Sequence, residues 1–229
     1  MYHLGKYKEF DKMSDLICEN YAMLLVMSRF GIALGFGEQS IGEVCRKNDV
    51  DKKTFLTVVN MLIDEERQDE IDTSLSVKSL IAYLRNSHAY FLDFRLPAIR
   101  LKLVEALNRD HNDVARAIIR YYDEYVAEVR KHMQYEEITV FPYVDLLLDG
   151  KKQQYHIEIF SKQHDHVDAK LSELKDIIIK YYPAKSSNEL NSVLFDIFSC
   201  SRDLASHNSV EDHLFVPVIK ALEQKRSIR

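Results

Sequence analysis

The chain has 229 residues, of which 46% are hydrophobic and 29% charged, with no tryptophan, six glycines and four prolines. This composition is typical of a helix-rich globular protein with one core and a smaller module, and it excludes a disordered or fibrous chain. The formal net charge of −5 at pH 7 argues against general attraction to nucleic acid or to an anionic membrane surface.

The N-terminal segment, MYHLGKYKEFDKMSD, lacks the apolar stretch of an export signal. No run of about 18 apolar residues occurs in the chain, so no membrane-spanning helix is expected. The three cysteines are scattered and form no C-x-x-C pair, which excludes a disulfide framework and a cysteine zinc site. These features predict a cytoplasmic protein.

Between Ser14 and about Asp72 the pattern predicts a small domain of three short helices. The apolar face of the first comprises Leu16, Ile17, Met23, Leu24, Met27 and Phe30. The second begins at Ser40, which can form a capping box with Glu43, and the third begins at Asp51.

The polar segment DEERQDEIDTSLS, residues 64–76, is the expected domain boundary, which predicts domains at 1–74 and 75–229. The second domain reads as four long helices at about 77–107, 112–141, 153–181 and 189–216, with separators that include Pro142 and DLLLDGKKQ. Amphipathic helices of this length joined by short loops predict an all-α protein whose larger domain is an up-and-down four-helix bundle.

Two segments of the bundle share one layout. HMQYEEITVFP (132–142) and HNSVEDHLFVP (207–217) each place a histidine, a glutamate at +4, a second acid at +5 and a proline at +10. Each is also preceded by a further histidine, His88 lying 44 residues before His132 and His164 lying 43 residues before His207. The bundle therefore reads as two helical hairpins of one design.

Polar residues in these segments lie on the apolar stripes of their helices, because positions i and i+4 share one side of a helix. The residues concerned are His88, His132, Glu136, His164, His207 and Glu211. In antiparallel topology they meet at one end of the bundle.

Burying a carboxylate without a partner costs several kcal/mol, and no lysine or arginine lies on these stripes. The pattern therefore predicts a site for two metal cations, with Glu136 and Glu211 bridging them. Nitrogen and oxygen donors without thiolate suit iron or manganese, although zinc or copper also accept them. Open coordination positions would take small ligands such as O2, NO or an oxo bridge.

Three further polar residues are not among the predicted ligands. His111 lies in the first turn between bundle helices and is expected at the opposite end, away from the metals. Glu137 and Asp212 lie about 100° off the stripes. They could orient ligands, but exposure to solvent is the expectation.

The sequence resembles a known protein family. The two H-x-x-x-E segments, together with LIAYLRNSHAYFLDFRLPAI (80–99) and FSKQHDHVDAKL (160–171), are similar to the hemerythrin-like domain of iron–sulfur cluster repair proteins, also called repair of iron centres proteins. SRFGIALGFGEQSIGEVCRKNDVDKKTFLTVVNML (28–62) is similar to the small N-terminal domain of the same family.

The resemblance implies a non-haem di-iron centre held by four histidines and two bridging glutamates. The matching residues are the six already named from their stripes. The N-terminal domain departs from the family, because Leu34 to Gly37 stand where a Cys-Cys-Gly-Gly run is typical. No role of that cysteine pair carries over.

The predicted function is iron handling under nitrosative or oxidative stress: supplying iron to iron–sulfur proteins or protecting them, with NO binding or reduction at the same site. The alternative is an O2- or NO-binding sensor or carrier that signals through the N-terminal module. A homodimer is one assembly that the sequence leaves open. Residues 40–62 have the outline of a helix-turn-helix, but the module is net negative, so no nucleic acid is expected as a partner. A metal-free scaffold would leave two glutamates buried without compensation.

Overall fold

The computed structural model describes residues 5–64, 72–107, 113–151, 154–161, 167–182 and 188–227. His111 and His164 lie outside the described residues. Within them the chain is helical and contains no β-strand, only an isolated antiparallel bridge between Lys12 and Ser40. The expectation of an all-α protein is therefore confirmed for this part of the chain.

The α-helices are α1 (Met13–Glu19), α2 (Met23–Arg29), α3 (Ile41–Lys47), α4 (Lys52–Ile63), α5 (Val77–Ala89), α6 (Leu96–Leu107), α7 (Asp113–Tyr135), α8 (Phe141–Leu148), α9 (Glu158–Ser161), α10 (Val167–Tyr181), α11 (Asn188–Val210) and α12 (Val216–Ser227). Among the described residues, three π-helical segments join consecutive α-helices: Tyr90–Arg95, Glu136–Val140 and Glu211–Phe215. The chain divides into two compact units, one comprising Met1–Ser87 with Ser209–Arg229 and the other His88–Asn208. The domain boundary between residues 74 and 75 stays a prediction.

The first predicted helix of the N-terminal region is wrong, because it is two helices, α1 and α2, that meet at Asn20. Asn20 has φ −135° and ψ 77°, which is not helical. Its side-chain amide donates to the Tyr7 hydroxyl at 3.1 Å, and that hydroxyl donates to the Glu19 carboxylate at 2.7 Å. These contacts with Tyr7 hold Asn20 in its non-helical conformation and account for the break.

The start of α3 agrees with the capping box predicted from the sequence. The Glu43 amide donates to the Ser40 hydroxyl at 3.3 Å, and the Ser40 amide donates to the Glu43 carboxylate at 2.8 Å. The start of α4 is also as predicted, because the Asp51 carboxylate accepts from the Thr54 amide at 2.8 Å. Both caps satisfy amides that a helix leaves without an internal partner.

The second unit is built around one hydrophobic core. Four helices, α6, α7, α10 and α11, supply most of its buried side chains, together with Phe91 from the preceding π-helical segment and Tyr182 directly after α10. The core is lined by Phe91, Leu96, Ile99, Leu103, Leu107, Ala115, Ile118, Tyr122, Tyr125, Val129, Met133, Leu171, Leu174, Ile178, Tyr182, Leu190, Val193, Ile197, Cys200 and Leu204. In α7 they include Ile118, Tyr122, Tyr125 and Val129, whose helical spacing in the sequence predicts an apolar stripe, so periodicity identified this buried face correctly. The up-and-down order of the bundle stays a prediction.

The expectation that two bundle helices end at prolines is wrong. Helical structure continues through Pro142 into α8 and through Pro217 into α12. In both places the residue before the proline donates its amide five residues back, Phe141 to the Glu136 carbonyl and Val216 to the Glu211 carbonyl. A proline cannot donate and its ring crowds the carbonyl four residues back, so the wider turn lets the chain stay helical.

The third predicted bundle helix begins later than expected. Residues 154–157 are not helical, and α9 begins at Glu158 rather than near residue 153.

Among the described residues, no helix combines the length and apolar character needed to cross a bilayer.

The cysteines should differ sharply in reactivity. Cys18 is exposed, whereas Cys45 and Cys200 are buried. Burial, followed by the nearby Asp51 charge, raises the pKa of the Cys45 thiol to about 12. At pH 8 we therefore expect iodoacetamide to modify Cys18 in the native protein and the other two only after unfolding, because the thiolate is the nucleophile. Peptide mass spectrometry checks this, and early labelling of Cys45 would contradict the core described above.

Candidate metal centre

Four of the predicted ligands lie in the second unit at helix ends. His88 stands near the end of α5, His132 and His207 stand in the last turns of α7 and α11, and Glu136 is the first residue of a π-helical segment. His88, Glu136 and His207 are 3%, 0% and 1% exposed. The His132 side chain is 13% exposed. The inward orientation predicted from helical periodicity therefore holds for these residues.

The Glu136 carboxylate lies between two imidazoles. Its Oε2 is 2.9 Å from Nε2 of His88, and its Oε1 is 2.8 Å from Nε2 of His132. His207 completes a tight group, because potential ligand atoms of His88, Glu136 and His207 lie within 4.8 Å of one another. The two oxygens of the Glu136 carboxylate therefore contact different histidines.

The contacts around Glu136 are short but lack hydrogen-bond geometry. Both oxygens of Glu136 and Nε2 of His88 are buried without a hydrogen-bond partner, despite the N···O separations of 2.8 and 2.9 Å. The ligand atoms therefore lie close together in a common space, as ion pairs without hydrogen-bond geometry. A cation in that space would satisfy them, and imidazole nitrogen with carboxylate oxygen is a donor set that transition metals accept. The described residues consequently fit a metal ion.

The ionisable groups of the site shift one another's pKa. Burial alone would raise the pKa of Glu136, but the adjacent imidazoles of His132 and His88 outweigh it and hold the pKa well below the ordinary range of a glutamate. Burial lowers the pKa of His88, whereas Glu136 and Glu137 raise it and prevail. A buried carboxylate with a lowered pKa favours positive charge beside it. A bound cation would take that role from a proton, as expected when metal and proton compete for one ligand.

Aromatic rings hold the histidines in place. His88 stacks on Phe141 with centroids 5.7 Å apart, and His132 stacks on Phe160 at 6.3 Å. The His207 ring meets Phe91 edge-on at 5.9 Å. Such packing limits rotation of the imidazoles and keeps water from the Glu136 carboxylate.

Glu137 contacts His88, which is one of the two arrangements that the sequence left open for it. Its Oε1 accepts a hydrogen bond from Nδ1 of His88 at 2.9 Å, although 35% of its side chain is exposed. The contact therefore agrees with ligand orientation rather than with the preferred expectation of simple solvent exposure. The available signal was the Glu-Glu pair after the histidine, but a regular α-helix would have turned the second glutamate away.

Glu211 and Asp212 lie in the first unit. Glu211 is fully buried and follows His207 by four residues on a continuous helical path, the same spacing as between His132 and Glu136. Asp212 is exposed, as expected. The predicted ligand His164 lies outside the described residues, as does His111.

A family model described as "Hemerythrin HHE cation binding domain" matches residues 79–219. This span contains all six predicted ligands and covers more than half of the chain. No curated protein matches the sequence.

Proposed function

Since the chain belongs to the hemerythrin HHE cation-binding family, we propose that it is a non-haem di-iron protein. Its histidine ligands would be His88, His132, His164 and His207, and Glu136 and Glu211 would bridge the two ions. The observation that carries this proposal is the buried Glu136 carboxylate, which lies between two imidazoles without hydrogen-bond geometry to either.

The geometry of Glu136 favours a pair of cations over a single one. Its two oxygens face different histidines, His88 and His132, so each oxygen can share a different ion with one imidazole. The repeat of the H-x-x-x-E spacing at His207 and Glu211 supports an equivalent contribution from the second hairpin. Glu211 is fully buried, as a bridging ligand needs to be.

We infer that the bound iron serves to supply iron to iron–sulfur proteins, or to protect them, under nitrosative or oxidative stress. Bound iron would supply Fe(II)/Fe(III) redox cycling and open positions for small ligands. The protein's part is to hold the ions through imidazoles, which release metal when they are protonated. Support comes from the resemblance of residues 28–62 to the N-terminal domain of cluster repair proteins, although the cysteine pair of those proteins is absent.

Metal analysis tests the di-iron proposal first. Protein purified without chelator, or apoprotein reconstituted anaerobically with Fe(II), should hold about two iron ions per chain and show the near-ultraviolet absorption of bridged ferric iron after oxidation. Reconstituted protein that retains no iron on gel filtration would contradict the proposal. Stable binding of only zinc or manganese would correct the metal but keep the site.

A second experiment separates the candidate activities. Loaded protein is mixed with a hydratase whose iron–sulfur cluster has been damaged by NO. Recovery of hydratase activity with matching loss of bound iron supports donation, whereas consumption of NO with retained iron supports NO reduction.

The alternative, an O2- or NO-binding sensor or carrier, is favoured by the N-terminal helices. Helices α3 and α4 pack against each other across a short connection, which suits a small signalling module. Reversible gas binding with neither iron loss nor NO turnover would support this alternative.

A further inference from the structure

We propose that Glu137 is a positioning residue for the metal centre, holding His88 in the form that directs Nε2 to the metal. The inference rests on the metal-binding function proposed above. It concerns a residue outside the six-ligand set, one that acts through His88.

The two nitrogens of His88 meet different carboxylates. Nδ1 lies 2.9 Å from Oε1 of Glu137, and Nε2 lies 2.9 Å from Oε2 of Glu136. Only the Nδ1 contact has hydrogen-bond geometry, because Nε2 is buried without a hydrogen-bond partner. An ionised carboxylate can only accept, so Nδ1 must carry the proton in the contact with Glu137.

A proton placed on Nδ1 has a direct consequence for Nε2. In the neutral imidazole the other nitrogen then carries the lone pair, and this is the atom that faces Glu136. Metal-binding histidines commonly donate their second N–H to a carboxylate, which sets the tautomer and the ring orientation. The His88 ring also stacks on Phe141, and this contact further restricts the orientation of the imidazole.

The backbone explains why Glu137 reaches His88. The Phe141 amide donates to the Glu136 carbonyl five residues back, so Glu136 and Glu137 stand at the start of a widened turn. In such a turn, the angle about the helix axis between the Glu136 and Glu137 side chains differs from that in a regular α-helix. The corresponding residue of the second H-x-x-x-E segment is Asp212, which is one methylene shorter and exposed.

The test compares Fe(II) affinity in full-length variants, measured anaerobically by competition with a chromogenic chelator. Glu137→Ala removes the acceptor and should weaken Fe(II) binding about 10- to 100-fold, the range typical of such supporting groups. Glu137→Gln keeps an oxygen that accepts from Nδ1 and should recover part of that loss. Asp212→Ala is the matched control and should bind within about threefold of the wild type.

A second readout does not depend on affinity. In protein loaded with diamagnetic Zn(II), the histidine ¹⁵N spectrum should show Nδ1 of His88 protonated and slow to exchange, and Glu137→Ala should speed that exchange. Circular dichroism and Tm of the apoproteins establish that the variants fold.

The outcomes separate the two proposals. Unchanged Fe(II) affinity and unchanged Nδ1 exchange in Glu137→Ala, with tight binding by the wild type, would overturn the role of Glu137 alone. Absence of Fe(II) binding by the wild type would overturn the proposed function and leave Glu137 only a structural partner of His88.

Discussion

Replacement of Glu136 by glutamine is expected to abolish tight metal binding while leaving the chain folded. Glutamine has nearly the same volume as glutamate, so the fully buried side chain can remain in its place. It loses the negative charge and one of the two oxygens that face His88 and His132. A neutral amide cannot bridge two cations, so iron content should fall from about two ions to less than one per chain.

The loss should also appear in thermal stability. A ligand at 100 times its Kd stabilises the folded state by about 2.7 kcal/mol. For a chain of this size that corresponds to a rise in Tm of about 5 to 11 °C on addition of metal. The wild type should show this rise, and Glu136→Gln should show almost none, in scans with and without Fe(II) under anaerobic conditions.

Glu124→Gln is the matched control for this experiment. It makes the same chemical change on α7 at an exposed position. Its iron content and metal-dependent Tm rise should equal those of the wild type. Equal metal binding by Glu136→Gln and Glu124→Gln would show that Glu136 is not a ligand.

Truncation of Phe91 to alanine should lower the folding stability of the protein strongly. The ring is fully buried in the core of the second unit and its edge meets His207 with centroids 5.9 Å apart. Large-to-small changes of buried phenylalanine lower the free energy of unfolding by about 3 to 5 kcal/mol, because the transfer energy is lost and a cavity remains. The Tm of the apoprotein should then fall by roughly 6 to 20 °C. Freed from one contact, His207 should also hold metal less tightly.

Phe94→Ala serves as the control because it lies in the same π-helical segment. The Phe94 side chain is 62% exposed. Its removal should change the free energy of unfolding by no more than about 0.5 kcal/mol. Thermal and urea unfolding followed by circular dichroism measure both variants. If Phe91→Ala were as stable as Phe94→Ala, the packing around His207 described here would be wrong.

Helical periodicity was sufficient to find the buried faces and the polar residues on them. His88, Glu136, His207 and Glu211 are buried where 3.6-residue spacing placed them. Short-range signals succeeded as well, because a cap such as Ser40 with Glu43 depends on residues only three positions apart. The hemerythrin-like character of residues 79–219 was likewise evident from the sequence and is confirmed by the family match.

Three features needed the folded chain. The break at Asn20 depends on Tyr7, which is 13 residues away, so no local propensity reveals it. The passage of helices through Pro142 and Pro217 depends on widened turns, which a regular helical pattern does not anticipate. The same widening carries Glu137 to His88, a residue 49 positions earlier.

Sequence alone thus determined which of the described histidines and glutamates face inward, because this follows from helical spacing. Tertiary structure decided where helices break or widen, and through them which carboxylate meets which imidazole nitrogen. The physical reason is range: periodicity records neighbours within one or two turns, whereas the orientation of His88 is decided by groups far away along the chain.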